Sequence, residues 1–342
     1  GHLNQNGRGG YTFRPDPGAA QNAAALAAFG RALGSWRCQT AINWELGGAR
    51  TARGIASDDV NALEFDQGSE LPANVLGRTT SYYAGCRDGS GGVRFWVKEI
   101  DMQFDDGVSW QFGPAAPGST QFDFETVVLH ELGHGQQLGH VIAPQLVMHY
   151  AIARGQLTRQ LNFARDVRGG YAAQLLSVAP VGCGPAPELP APLTSQLTAE
   201  AQNGQVQLSW TSSNECSGST FIVERSPDAR TWTRFVQQAA TGAGTYRHTD
   251  TQPLAGTVTY DRVQVLLSNG LALPAAPVGV RPDGSGPTLA VFPNPSTGTS
   301  LTLEYNAPAA TDALIVRIYD AVGRYCGGRQ LTVPQSGINT LS

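Results

Sequence analysis

The sequence predicts a multidomain protein, in which an α+β domain is followed by two small all-β sandwich modules. Three observations favour this fold class. The chain of 342 residues is long enough for two or three domains. Apolar residues at helical spacing are concentrated in the first half, whereas a two-residue alternation dominates the second half. Segments rich in proline and glycine separate these regions, and 41 glycines with 21 prolines indicate many turns.

The domain limits follow from those segments. We place the α+β domain at residues 1–178, a proline-rich linker at 179–192, a β-sandwich at 193–282 and a second β-module at 283–342. Proline-dense sequence favours extended backbone, so the linker is expected to be stiff. We expect the protein to be a monomer.

The first domain is predicted to combine helices with a mixed sheet. Residues 1–18, rich in glycine and proline, are expected to be frayed or to lie along a surface. An alanine-rich helix is expected over residues 19–35 and a short strand over 39–45. The remaining predicted elements are strands near 60–65, 78–83 and 98–104 and a final helix around 157–167.

Residues 128–140 carry the strongest chemical signal in the chain. His130 and His134 stand four residues apart, and on a helix this spacing places both imidazoles on one face. Asp123 is suited to cap the start of that helix, because its charge favours the positive end of the helix dipole. The apolar residues that support the helix by their spacing are Phe124, Val127, Val128 and Leu132.

The same stretch supplies a carboxylate and a third imidazole. Glu131 lies on the neighbouring flank, where it would reach a metal-bound water rather than the metal. Gly135 and Gly139 are expected to let the chain turn back, so that His140 becomes a third nitrogen ligand. Three neutral imidazoles with one open position are what a catalytic zinc needs to lower the pKa of bound water to roughly 7. The alternative is a surface helix with scattered histidines.

The pattern His-Glu-x-x-His-x-x-Gly-x-x-His, followed by a methionine, resembles the metzincin zinc peptidases and most closely the matrixin-like branch. The resemblance implies a metzincin-type catalytic domain with one catalytic zinc ion. It makes His130, His134 and His140 the metal ligands and Glu131 the general base and acid. It also makes Met148 the residue of the structural Met-turn, and it places Tyr150 where some metzincins have a catalytic residue that binds either the metal or the oxyanion.

Gln137 departs from this family pattern, because the family has a glycine at the corresponding position. That glycine normally has a positive φ, and glutamine there would cost on the order of 1 kcal/mol. Gly135 and Gly139 are expected to absorb the turn instead.

Residues 103–110 also resemble a matrixin segment, His-Phe-Asp-x-x-Glu-x-Trp. In that family the histidine serves a structural zinc and the acidic residues serve calcium. Gln103 replaces the histidine and Val108 replaces the glutamate, so we expect no structural zinc. Calcium is possible at Asp88, Asp105 and Asp106, whose carboxylates suit that ion. The alternative, which we favour, is that all three are ordinary turn residues.

The net charge, the hydropathy and the cysteines of the sequence indicate which partners to expect and whether disulfides form. A net charge of −4 gives no reason to expect nucleic acid or an anionic membrane. No apolar run reaches the ~18 residues of a transmembrane segment, and the chain starts without methionine or a signal peptide. The five cysteines form no Cys-x-x-Cys pair. We expect disulfides between Cys38 and Cys86 and between Cys183 and Cys216, with buried free thiols as the alternative.

The second half resembles two modules of secreted bacterial proteins. Residues 206–210, 221–226 and Tyr260 are similar to a fibronectin type III module. Residues 291–298, which contain Phe-Pro-Asn-Pro, and Tyr-Asp-x-x-Gly-Arg at 319–324 resemble the type IX secretion (Por) C-terminal sorting domain. That resemblance implies recognition by the secretion machinery at the outer membrane and a secreted or surface-attached protein. The final strand of the family is missing from the sequence pattern, so we expect this domain to be truncated. An adhesive β-module without a sorting role is the alternative.

Together these patterns predict a secreted zinc-dependent endopeptidase acting on protein or peptide substrates. Glu131 would activate a zinc-bound water for attack on the peptide bond. The alternative is a non-catalytic, zinc-bearing surface adhesion or binding protein with a decayed peptidase site, a hypothesis motivated by Gln137 and by the β-modules.

Overall fold

The first unit, Gly1–Pro192, contains one five-stranded sheet, in whose strands apolar and polar side chains tend to alternate. Its strands are β1 (Tyr11–Pro15), β2 (Trp44–Leu46), β3 (Asn61–Phe65), β4 (Gly77–Arg87) and β5 (Val93–Phe104). The order across the sheet is β2-β1-β3-β5-β4. Neighbouring strands are parallel except that β4 runs antiparallel to β5. One edge of the sheet is therefore the antiparallel strand β4.

The computed structural model describes residues 10–177, 183, 197–212, 216–254, 259–274, 277–280, 289–292, 302–307, 313–319, 325–332 and 337–341. The chain divides into two units, Gly1–Pro192 and Leu193–Ser342. Most of the predicted linker, and residues 293–298 and 320–324 of the sorting motif, lie outside the described residues. None of the described helices has an apolar stretch long enough to cross a bilayer.

Two helices pack together and form the core of the first unit with the sheet. They are α1 (Ala23–Thr40) and α2 (Phe124–Gly135), and a third helix, α3 (Arg168–Ser177), follows a short π-helical turn at Phe163–Val167. Trp36 on α1 is fully buried, and its indole nitrogen donates to the carbonyl of Leu129 on α2 at 2.9 Å. Such a bond satisfies the polar atom of a buried tryptophan and fixes α2 against α1. Two short strands, β6 (Trp110–Gln111) and β7 (Phe122–Asp123), pair just before α2.

The beginning of the chain differs from the prediction. Residues 11–15 are not frayed: they form β1, which lies between β2 and β3 and is mostly buried. Pro15 ends that strand, where its missing N–H costs no ladder bond. The first helix continues to Thr40, so the strand predicted over 39–45 is reduced to β2. Ala41 ends α1 with φ of 62°, and its N–H closes the last turn on the carbonyl of Arg37.

The final helix also lies further along the chain than predicted. Residues 157–162 contain no helix, and the helical segment starts at Phe163 with the π-helical turn. Asn162 caps it through a bond from the Ala164 N–H. The buried Asp166 accepts from the Asn162 N–H at 2.9 Å. These polar contacts, rather than apolar periodicity, determine where the helix begins.

The predicted disulfides are wrong. Cys86 is bonded to Cys183, whereas the prediction paired Cys38 with Cys86 and Cys183 with Cys216. Cys38 lies on α1, which contacts the β2 edge of the sheet, whereas Cys86 lies on β4 at the opposite edge. Cys183 lies within the predicted linker, so part of that segment is tied covalently to the first unit. Cys326 is an exposed thiol.

The described elements of the second unit are all strands. One sheet contains β10 (Thr220–Ser226), β11 (Thr233–Ala239), β13 (Thr259–Leu266), β14 (Ala272–Pro274) and β15 (Val278–Val280). A second contains β8 (Thr198–Gln202), β9 (Gln205–Ser212) and β12 (Gly244–Asp250). Trp210 of the second sheet packs on Phe221 of the first at 5.6 Å between ring centroids. Trp210 is buried, as expected of a core residue, and the likeness to a fibronectin type III module stays a prediction.

The strands beyond residue 283 form two further sheets. They are β16 (Leu289–Phe292), β17 (Thr302–Ala307) and β20 (Gly337–Leu341) in one, and β18 (Ala313–Tyr319) and β19 (Tyr325–Thr332) in the other. The Tyr319 hydroxyl donates to the carbonyl of Ala229 at 2.9 Å. The two predicted β-modules therefore contact each other within one unit.

Candidate metal centre and active site

The helix that carries the histidines begins at a fully satisfied cap. Asp123 is the N-cap of α2, and its carboxylate accepts from the Thr126 N–H at 2.9 Å and from the Thr126 hydroxyl at 2.6 Å. This confirms the predicted cap. The same carboxylate, which is completely buried, is paired with Arg159 from the segment that follows the Met-turn. The ligand helix is thereby joined at its first turn to a distant part of the chain.

Three imidazoles converge at the other end of that helix. The Nε2 atoms of His130 and His134 are 2.9 Å apart, and the Nε2 of His140 lies 3.1 Å from the first and 3.0 Å from the second. Three nitrogens this close together could all bind one ion at the usual Zn–N distance of roughly 2.0–2.1 Å.

The partners of the rings show which nitrogens face this centre. Nδ1 of His130 lies 2.8 Å from the carbonyl of Val147, and Nδ1 of His134 lies 2.8 Å from the carbonyl of Leu138. Because a carbonyl only accepts, both Nδ1 atoms carry the proton and both Nε2 atoms of neutral rings present lone pairs. Burial lowers the pKa of His130 to about 4. Lone pairs facing each other at this distance repel unless a cation lies between them, so the donor set fits a metal ion.

Glu131 lies beside the histidines, on the flank of α2 that faces β4. Its side chain is buried, and Oε2 accepts from the hydroxyl of Thr79 at 2.6 Å. Gly77, two residues earlier on β4, leaves room for it, because a Cβ there would lie 3.0 Å from Glu131 Oε1. Burial raises the pKa of Glu131 to about 7, and the hydrogen bond from Thr79 opposes this rise. A cation among the neighbouring imidazoles would lower this pKa again.

The turn between His134 and His140 is made by Gln137 itself. Its φ is 67°, whereas neither Gly135 nor Gly139 has a positive φ. The expectation that those glycines absorb the turn is therefore wrong. The strain is offset by hydrogen bonds: the amide nitrogen donates to Ser81 Oγ and to the Gly135 carbonyl, both at 3.1 Å, and its oxygen accepts from the Tyr83 hydroxyl. Gln137 therefore makes the turn at positive φ and ties it to β4.

Met148 lies beneath the histidine helix. It is buried, and a Cβ at Gly133 would overlap its sulfur atom. The carbonyl of Met148 accepts from the Val141 N–H at 2.9 Å, and the turn closes through the His149 N–H on the Leu146 carbonyl at 3.1 Å. Because Val141 follows His140 directly, this turn holds the third imidazole in place, and its Met148 side chain also fills the space beneath the histidine helix.

The three histidines and Glu131 line a cleft of about 1130 Å³. Residues 77–83 of β4 form one wall, and residues 146–158 after the histidines form the other. Tyr150 lies at the rim, 62% exposed, with its ring 4.5 Å from that of His149. Arg154 also lines the cleft, stacked over Phe122 at 4.4 Å, and no ion pair joins it to a carboxylate in the described part of the chain.

The three acidic residues considered for calcium do not meet. Asp105 and Asp106 come close to Asp66, whose carboxylate accepts from the Asp106 N–H at 2.8 Å. Asp88 instead lies in the turn between β4 and β5, where it accepts from the Ser90 and Gly92 N–H groups and pairs with Arg94. Asp88 has the contacts of an ordinary turn aspartate at the far end of a long hairpin, which is the alternative that the sequence favoured.

Gln103, which stands where the matrixins have a histidine, is held by carboxylates. Its amide nitrogen donates to Glu64 at 3.0 Å and to Glu70 at 2.9 Å. Arg53 balances these acids, with Nη2 2.6 Å from Glu70 and 3.6 Å from Glu64. The amide of Gln103 and the guanidinium of Arg53 thus both bind the carboxylates of Glu64 and Glu70.

The sequence did not identify Thr79 and Gly77 as site residues, although both lie against the Glu131 carboxylate. The available signal was their alternation on a strand: Gly77, Thr79, Ser81 and Tyr83 share one face of β4, and that face lies against α2. The sequence showed that these side chains share a face but not which helix the face meets.

Comparisons of the sequence with known proteins bear on the first unit. The matrixin family model (Peptidase_M10) matches residues 5–170. Matrilysin of Rattus norvegicus is 28% identical over 136 residues, which are 40% of this chain and 45% of that protein. The chain therefore spans less than half of the length of this relative. The match supports a matrixin-like metallopeptidase in the first unit.

Solved structures add little. Two crystal forms of wild type OgpA from Akkermansia muciniphila are similar over 47% of this chain and over 49% and 50% of theirs, at 15% identity. The TM-score of 0.23 is too low to support an argument.

Proposed function

We propose that the first unit is a zinc-dependent endopeptidase that hydrolyses internal bonds of protein or peptide substrates. The observation that carries this proposal is the convergence of three Nε2 atoms within 3.1 Å of one another, in the same cleft as the Glu131 carboxylate. His130, His134 and His140 would hold the ion. When bound at such a site, zinc acidifies water and polarises a carbonyl.

Glu131 would be the general base and then the general acid of the reaction. Its carboxylate would take a proton from the attacking water and later pass it to the leaving amine of the cleaved bond. Gly77 leaves Oε1 uncrowded, while Oε2 is engaged by Thr79. Tyr150, at the rim, would donate to the oxyanion of the tetrahedral intermediate, and a well-placed donor of this kind contributes about 3 kcal/mol.

Substitution of Glu131 tests this function directly. In the full-length protein, Glu131→Gln should retain one zinc per chain and lose roughly 10²–10⁴-fold in the rate of hydrolysis of a quenched-peptide library. Glu45→Gln, on β2 and outside the residues that line the cleft, is the matched control and should keep wild-type turnover. Undiminished hydrolysis by Glu131→Gln would remove this residue from the mechanism.

The non-catalytic alternative makes a different prediction for the wild-type protein. A decayed site would give no chelator-sensitive cleavage of any peptide in a broad library. The departure that motivated this alternative, Gln137, adopts a positive φ and leaves the imidazoles converged. The peptidase is therefore the function that we favour.

We further propose that the protein is exported by the type IX secretion system and is released or surface-attached. The motifs at 291–298 and 319–324 support this. In a host with that system the full chain should reach the medium or the cell surface, and in an isogenic strain without it the chain should stay in the cell. Equal export from both strains would contradict the proposal. Calcium bound near Asp105 and Asp106 is a further proposal, which a titration of the chelated protein followed by calorimetry would test.

A further inference from the structure

One hydroxyl group on the edge strand lies between two oxygen atoms of the central glutamate. Thr79 Oγ1 is 2.6 Å from Glu131 Oε2 and 2.9 Å from the backbone carbonyl oxygen of the same residue. Both acceptors belong to the first helical turn of the zinc-ligand motif. The contact spans 52 residues of sequence, so it exists only because β4 packs against α2.

In the part of the chain that the structure describes, Thr79 is the only side chain that hydrogen-bonds the Glu131 carboxylate. Glu131 is 3% exposed, so solvent has little access to replace that partner. A buried carboxylate with one fixed partner has its orientation set by that partner. The hydrogen bond from Thr79 fixes Oε2, and Oε1 lies beside Gly77.

A hydroxyl suits this position because it carries one proton and two lone pairs. Thr79 donates that proton to Glu131 Oε2 at 2.6 Å, and the backbone carbonyl oxygen of Glu131, at 2.9 Å, is the second acceptor within reach. The hydroxyl is therefore held beside the carboxylate by two atoms of the same residue.

We propose that Thr79 is a positioning residue for catalysis, which holds the Glu131 carboxylate in its working orientation. The inference rests on the proposed peptidase function. A misplacement of a catalytic group by about 1 Å costs on the order of 10²-fold in rate, so loss of the hydroxyl should be visible in turnover rather than in stability.

Three variants of the full-length protein test it, with kcat, KM and zinc content measured for each. Thr79→Val keeps the shape and removes the hydroxyl, and we expect kcat to fall about 10- to 100-fold per bound zinc with KM changed less than about twofold. Thr79→Ser restores the hydroxyl and should recover kcat to within about threefold. Thr80→Val is the matched control on the opposite face of β4 and should behave as wild type.

The outcomes separate this inference from the function on which it rests. If Glu131→Gln is fully active, the peptidase mechanism fails whatever Thr79 does. If Glu131→Gln is inactive but Thr79→Val equals Thr80→Val in kcat per zinc, only the role of Thr79 is refuted. If Thr79→Val loses zinc and activity in equal proportion, Thr79 supports the fold and the proposal is overturned. A loss of kcat per zinc that serine repairs supports the proposal.

Discussion

The cap of the histidine helix offers a prediction whose size follows from the structure. Asp123 accepts two hydrogen bonds from Thr126 and pairs with Arg159, and its side chain has no exposed surface. Removing a cap of this type costs about 1 kcal/mol. Removing one partner of a buried ion pair costs about 3–5 kcal/mol, and Arg159 would keep only the longer carboxylate contact, with Glu125 at 3.6 Å. One carboxylate makes both interactions, so we expect Asp123→Ala to cost about 3–5 kcal/mol in total.

The assay is urea unfolding of the full-length protein, followed by tryptophan fluorescence with and without zinc. Two units give two transitions, and the transition that shifts with zinc belongs to the first unit. Asp123→Asn, which keeps an acceptor for the Thr126 N–H, should cost less than Asp123→Ala. Lys98→Ala breaks the partly exposed pair with Asp59 and should cost less than about 1 kcal/mol. A change below about 1 kcal/mol for Asp123→Ala would refute the reasoning.

Four further predictions concern the packing of Gly133 on Met148, the turn at Gln137, the buried Asp261 of the second unit and Arg154 in the cleft. Gly133→Ala gains about 1 kcal/mol of helix propensity but overpacks Met148 by about 1–3 kcal/mol, so urea unfolding should show net destabilisation, and a stabilised variant would contradict it. Gln137→Gly and Gln137→Ala both lose the hydrogen bonds of the amide group, but only alanine keeps a Cβ at positive φ. The free energy of unfolding of the glycine variant should therefore be about 1 kcal/mol higher than that of the alanine variant, and equal values would disprove the strain. Burial raises the pKa of Asp261 to about 7, above its ordinary value near 4, so its ionisation destabilises the folded second unit as pH rises between those values. The stability gained by Asp261→Asn over wild type should therefore grow from pH 4 to pH 7, and a gain independent of pH would argue against this. Arg154 lines the cleft and, among the described residues, has no carboxylate partner, so cleavage-site profiling should show a preference for an acidic side chain that Arg154→Ala loses, and an unchanged profile would exclude it.

The histidine helix was predictable because its signals are local. Apolar spacing, a capping aspartate and two histidines one turn apart all lie within thirteen residues, and each depends only on helix geometry. The prediction of a third nitrogen from His140 depended on the family pattern, and the structure brings that ring to the other two.

The strand at Tyr11–Pro15 shows where local signals mislead. Its flanking glycines and prolines suggested a frayed terminus, although Tyr11 and Phe13 alternate with polar residues as a strand requires. Its stability comes from parallel pairing with β2 and β3, whose residues lie some 30 to 50 positions away in the chain. Contacts at that separation leave no trace in a short window of sequence.

The roles of Thr79 and Gln137 could not be predicted for the same reason. Both depend on which face of β4 meets α2, and that is settled by tertiary packing. The strain at Gln137 was foreseeable from its place in the family pattern, but its compensation by Ser81 and Tyr83 was not. Disulfide pairing failed similarly, because sequence spacing does not reveal that α1 contacts one edge of the sheet while Cys86 lies at the other.

X-ray absorption at the zinc edge, measured on the zinc-loaded full-length protein, tests whether the three histidines hold a zinc ion. We expect one tightly held zinc per chain, nitrogen and oxygen neighbours at roughly 2.0–2.1 Å, and the outer scattering of three imidazoles, reduced to two in His140→Ala. Absence of stoichiometric zinc, sulfur among the neighbours, or a spectrum unchanged in His140→Ala would contradict it.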